Sequence, residues 1–141
     1  MRQSILAPLL LCLVALLWNP AAGRAGDGTE FQRIISEQIA AFNADDGTRA
    51  FAYATPTLQN MFVTADNFMA MVRKGYQPVY RQKSYRFAET FADAAGRPAQ
   101  KVMIVDQAGK VWTAIYTFER QPDGSWRISS CVLVDPGGAD A

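Results

Sequence analysis

The chain has 141 residues, with 14 Lys and Arg against 13 Asp and Glu and a formal net charge of +1, a balance that speaks against an electrostatic nucleic-acid binder. It contains no histidine and 2 cysteines, which removes the commonest general base and transition-metal ligand. Ser–His–Asp and Cys–His nucleophiles cannot be built, and neither a metal nor a cofactor is expected.

The N-terminus opens with Met1-Arg2-Gln3-Ser4, followed by an apolar run of about 14 residues from Ile5 to Trp18. Asn19-Pro20 and the small residues Ala21-Ala22-Gly23-Arg24-Ala25 close it. A charged start, a short apolar run and small residues at the exit form a secretory signal peptide, residues 1–25, with cleavage near Gly23 or Ala25. The run is short for a permanent anchor, since a spanning helix needs about 20 apolar residues. Lipidation of Cys12 is not expected behind Leu9-Leu10-Leu11. Cleavage removes Arg2 and Arg24 and leaves 12 bases against 13 acids, a net charge of about −1. It also leaves Cys131 alone, so no internal disulfide is expected. The setting is periplasmic or secreted, and membrane contact is confined to the signal segment. Residues 26–134 suffice for one domain, and 135–141 read as a frayed tail.

In chain order, Phe31, Ile34, Ile35, Ile39 and Phe42 recur at helical spacing, giving residues 30–44 one apolar face. Thr29 and Gln32 suit a capping box, and Asp45-Asp46-Gly47 stops the helix. A short helix follows Thr48. Thr55-Pro56 opens another, which reaches Phe62. Thr64 caps a further helix with Phe68, Met71 and Val72 on one side, ended by Gly75. A strand is expected from about Val79 to Phe91, and a loop over 92–98. Asp106-Gln107-Ala108-Gly109-Lys110 and Gln121-Pro122-Asp123-Gly124-Ser125 suit three-residue hairpin loops with a left-handed glycine. Both place even residues opposite even. One sheet face then carries Val102, Ile104, Trp112, Ala114, Tyr116, Phe118, Trp126, Ile128, Ser130, Val132 and Val134, and packs on the helices. The other carries Met103, Val105, Val111, Thr113, Ile115, Thr117, Arg127, Ser129, Cys131 and Leu133. It is too apolar for a solvated face and is expected to form a homodimer, the alternative being a tail or loop folded over it. The class is α+β: N-terminal helices on a curved four-stranded antiparallel sheet.

This layout resembles the nuclear-transport-factor-2-like fold, whose bent sheet wraps helices into a cone, often with a pocket, and whose members often dimerise through the outer face. Several motifs are similar to domain-of-unknown-function family 4864, small exported bacterial proteins. They are Gln38-Ile39 with Phe42 and Asp45-Asp46; Ala50 to Ala54 before Pro56; Gly75 to Arg81; Trp112 to Tyr116; and Asp123 to Ile128 followed by Cys131. The resemblance implies a periplasmic setting and carries no activity with it.

Glu89 shares its strand face with Tyr85, Phe87 and Phe91, so it is the one strand carboxylate that could enter a cone. Burial would raise its pKa and suit it as the base of an isomerase or hydratase, with Tyr116 or Tyr80 as donor. The plainer reading puts it at the rim, paired with a base. Tyr80, Trp112, Tyr116 and Trp126 are candidates to line a pocket for a small apolar ligand; an ordinary core needs the same residues. Arg73, Lys74, Arg81, Lys83 and Arg86 form a basic run that could take an anionic ligand or dock on an envelope partner. The alternative is a solvated edge that discourages strand pairing. Asp45-Asp46 reads as turn formation rather than a two-carboxylate cation site, and Cys131 as a buried, inert thiol, with a disulfide across a dimer axis as the alternative. A non-enzymatic ligand- or partner-binding domain is the leading expectation.

Overall fold

A computed structural model describes residues 21–135, with side chains from residue 27 onward. Most of the expected signal peptide, residues 1–20, and of the expected tail, residues 136–141, lies outside the described residues. Five helices come first: α1 (Ala21–Asn43), α2 (Gly47–Ala52), α3 (Pro56–Phe62), α4 (Ala65–Gly75) and α5 (Gln77–Tyr80). Four strands follow: β1 (Gln82–Ala92), β2 (Pro98–Asp106), β3 (Val111–Arg120) and β4 (Trp126–Val134). They pair in chain order as one curved antiparallel sheet, so the arrangement is α+β.

The apolar stripe of α1 lies across the sheet. Phe31, Ile34, Ile35, Ile39 and Phe42 are all buried. Phe31 stacks on Phe118 of β3 at 4.2 Å and meets Trp126 of β4 edge-on at 5.1 Å. Aromatic pairs of this kind each contribute about 1 kcal/mol beyond burial. The helix starts upstream of the expected capping box at Thr29. Ala21, Ala22 and Ala25 favour this extension, while Gly23, Gly26 and Gly28 make it an intrinsically weak stretch of helix. Asp46 caps α2, accepting from the Arg49 amide at 3.1 Å. Thr55 and Thr64 cap α3 and α4 as their sequence contexts predict.

Val79 and Tyr80 belong to α5 rather than to a strand. Pro78 at the start of that turn fixes a helical φ, and β1 begins only at Gln82. Both glycine-bearing hairpin loops form, with φ of 85° at Gly109 and 84° at Gly124. They place Trp112 opposite Ile104, and Phe118 opposite Ile128. Trp112 and Trp126 both pack against the core, on one side of the sheet.

The register shifts at three places, once between Gln82 and Ser84 at the start of β1 and twice where it re-aims candidate site residues. Between Thr117 and Phe118 the β3–β4 pairing shifts by one residue. Past that point Tyr116 faces Cys131 and Ala114 faces Leu133, while Val132 and Val134 pair with Ile115 and Thr113. The even-to-even alternation along β4 therefore fails after Ile128. Cys131 and Leu133 turn toward the helices, and Val132 and Val134 turn outward. The second bulge interrupts β1 between Phe87 and Thr90. The buried Gln100 amide fills it, donating to the Ala88 carbonyl at 2.9 Å while its oxygen accepts from Thr90 at 2.6 Å. A bulge of this kind re-aims the side chains on either side of it.

Candidate functional site

The helices do not fill all the space above β3 and β4. A cavity of about 220 Å³ remains between them. Its floor is Tyr116 of β3 and Ile128 to Cys131 of β4. Gln38 and Phe42 of α1 form one wall, and Phe68, Met71 and Val72 of α4 another. Leu58 and Phe62 of α3 line the remaining side, and the cavity is partly open to the surface. None of α3's residues is fully buried, and Met61 is widely exposed. At its end Val63 has φ 69° and ψ −48°, and the Thr64 amide donates to the Phe62 carbonyl at 2.8 Å. This is a γ-turn on a β-branched residue, a strained conformation.

The cavity is apolar with one polar pole, and that pole exists because of the β4 bulge. Ser129, Ser130 and Cys131 converge on it with Tyr76 and Tyr116. Ser129 and Ser130 both engage the Thr117 hydroxyl, Ser129 at 2.8 Å. Tyr76 donates to the Cys131 carbonyl at 2.9 Å, and the Gln38 amide donates to the Ala50 carbonyl at 3.1 Å. Tyr116 is 1% exposed, and its hydroxyl has no hydrogen-bond partner among the described residues. The Cys131 thiol lies beside it and makes a weak polar contact with it, without the donor–acceptor geometry of a full hydrogen bond. Burial raises the Tyr116 pKa well above the ordinary phenol value. Burial also pushes the Cys131 thiol up to about 12. Both groups are therefore neutral at physiological pH, and the thiol is a poor nucleophile. None of the described residues lining the cavity carries a charge.

Of the four aromatic residues put forward as pocket lining, Tyr80, Trp112, Tyr116 and Trp126, only Tyr116 lines this cavity. Tyr80 is buried elsewhere: its hydroxyl donates to Asp45 and accepts from Arg73. Trp126 packs on Phe31, and Trp112 donates its ring N–H to Asp106 at 2.9 Å. The basic run does not gather into one site. Arg81 bonds Asp45 at 2.8 Å and donates to the Phe42 carbonyl at the end of α1, with Arg73 on the far side of the same carboxylate. Lys74, Lys83 and Arg86 are exposed, and Arg86 pairs with Met103 on the outer face.

Glu89 does not enter the cone. The β1 bulge turns its carboxylate outward to Lys101, at 2.6 Å, with 59% of the side chain exposed. That hydrogen bond lowers its pKa, the opposite of the shift a cavity base would show. Asp46 caps α2 instead of binding a cation, and no group of acidic or thiol side chains suited to a metal occurs among the described residues. The sequence reading missed Leu58, Phe62 and Met71 as cavity walls. Their helical spacing was the available signal. Cys131 was placed on the wrong face, and the Ser129-Ser130 pair was the only hint of the bulge.

Fold and cavity together define a small α+β domain in which helices roof a curved sheet over an apolar pocket. The chain belongs to the family described as domain of unknown function DUF4864, whose model matches residues 24–141. No curated protein and no solved structure matches it.

Proposed function

We propose that this is an exported domain that binds a small apolar molecule in the cavity between α3, α4 and the sheet. The cavity carries the reading: about 220 Å³, apolar-walled and bounded on one side by the lightly anchored α3. Pockets of this character are the usual small-molecule sites. The signal-like N-terminus supports export, and the resemblance to the nuclear-transport-factor-2-like cone supports a pocket at this end of the sheet. Glu89 lies outside the cavity, so binding is favoured over an isomerase or hydratase role.

The test is a thermal-shift screen of the purified protein against uncharged hydrophobic compounds. A ligand at a hundred times its Kd stabilises by about 2.7 kcal/mol. Met71→Trp fills the cavity from the α4 side and should abolish the shift. If no compound shifts wild type, or if Met71→Trp leaves the shift intact, the reading fails.

A second reading concerns the outer sheet face, which we assign to a second copy of the chain. Val111, Val132 and Val134 are 43%, 53% and 42% exposed there, beside Met103 and Ile115. Both signs of charge border the patch, with Glu89 and Lys101 at one side and Glu119 and Arg127 at another. A twofold pairing matches such a rim to itself. Val132→Lys should convert a dimer to a monomer in sedimentation equilibrium; a wild-type monomer refutes the assignment.

A further inference from the structure

The cavity's chemistry restricts what it can hold, given that it holds a small molecule at all. A charged ligand would lose hydration there without meeting a counter-charge, which disfavours it strongly. A ligand with several polar groups would leave most of them facing Phe42, Phe68 and Val72. One strong donor stands apart. The other hydroxyl and amide side chains lining the cavity already bond within the protein, whereas the Tyr116 hydroxyl, on the β3 strand, has only the weak contact of the Cys131 thiol beside it. A buried donor left this way is an uncompensated cost to the fold, and a ligand acceptor would remove it. Burial keeps this phenol protonated at any ordinary pH; the hydroxyl lies just beneath the cavity floor with almost no accessible surface, so a ligand acceptor reaches it through a small shift of that floor. Size sets the last limit. An apolar cavity of about 150 Å³ accepts a benzene ring, so the present volume suits a molecule of roughly ten non-hydrogen atoms.

We infer that the ligand is a compact, uncharged molecule, apolar except for one carbonyl-type acceptor, and that the Tyr116 hydroxyl donates to that acceptor. The inference rests on the cavity being a binding site, and the experiment separates the two.

Three probes of nearly the same size and shape serve: acetophenone, isopropylbenzene and benzoate. They differ in presenting a neutral acceptor, no acceptor and a charge. Binding is followed by calorimetry or by ligand-observed NMR on the whole folded protein. Wild type should bind acetophenone about tenfold more tightly than isopropylbenzene, the worth of one buried hydrogen bond, and should bind benzoate most weakly. In Tyr116→Phe the preference for acetophenone should disappear while isopropylbenzene binds at least as well as before. Equal wild-type affinities for acetophenone and isopropylbenzene overturn the donor assignment, and this arm needs no variant. So does a preference that survives in Tyr116→Phe. Benzoate binding as tightly as acetophenone overturns the restriction to uncharged ligands. Binding of none of the three overturns the cavity reading, and the ligand class with it.

Discussion

Replacing Tyr116 by Phe should make the ligand-free protein more stable, which is unusual for a change at a fully buried residue. The ring is retained, so the packing of β3 against the helices is unchanged. Only the hydroxyl goes, and it is buried without a hydrogen-bond partner among the described residues. Burying such a group unsatisfied costs about 1–3 kcal/mol. The cavity beside it leaves room to relax, so a gain of about 1–2 kcal/mol is expected. For a domain of roughly 110 residues that corresponds to a rise of about 4–8 °C in Tm. Urea unfolding followed by tryptophan fluorescence should give a higher midpoint at unchanged slope, because the surface exposed on unfolding is the same. Thr117→Val is the contrasting control. Its hydroxyl is bonded to both Ser129 and Ser130, so its loss should destabilise by about 1 kcal/mol or more. A Tm for Tyr116→Phe at or below wild type would mean that the folded protein satisfies the hydroxyl, and the argument for a waiting donor would collapse. The gap should narrow on ligand binding, by about the 1.4 kcal/mol of a tenfold preference. Saturation with a carbonyl compound should raise the Tm of wild type more than that of the Phe variant.

The thiol offers a pH test. The fold holds Cys131 neutral, its pKa pushed from 9.0 to about 12 by burial. An unfolded chain therefore sheds this proton first. The contribution is complete below about pH 9 and is lost as pH rises toward 12, at up to about 1.4 kcal/mol per pH unit. Cys131→Val should lose less stability than wild type across that window; equal slopes would show that the thiol is not desolvated. Asp46→Ala removes the cap on the α2 amides and should cost about 1 kcal/mol in chemical denaturation. Val63→Gly relieves the positive φ at the end of α3. The strain is worth about 1–3 kcal/mol and the added chain entropy of glycine offsets up to about 1. The variant should therefore be as stable as wild type or more so, and a clear loss would show that the turn is unstrained.

Sequence legibility divides along physical lines. The caps at Thr55 and Thr64 were readable because a hydroxyl before a helix start has one dominant use, and Pro56 fixed the position of the first. The hairpins at Gly109 and Gly124 were readable because the turns need a left-handed residue, and they set the β2–β3 pairing without error. The β4 strand was readable only as far as Ile128. Beyond it, Cys131 and Leu133 are about as apolar as Val132 and Val134, so neither choice of face carried a pattern penalty that could reveal the slip. In β1 the same blindness had another origin. The bulge is stabilised by Gln100, eleven residues from the Glu89 it displaces, and no local alternation records a contact at that distance.

The cavity was legible in composition but not in place. Apolar residues at helical spacing form a filled core and an empty pocket equally well, and the difference lies in how closely the roof sits on the sheet. Here α3 leaves Leu58 and Phe62 only half-buried, and the β4 bulge adds one residue beneath them. That extra residue does two things at once. It brings Cys131 opposite Tyr116 to make the polar pole, and it sends Val132 and Val134 to the outer face, where they enlarge the apolar patch. A straight β4 would move the thiol to the outside and leave Tyr116 facing Ser130, a side chain able to satisfy its hydroxyl. The same irregularity that defeats the alternation reading therefore leaves Tyr116 without a partner, and the proposed ligand chemistry depends on that.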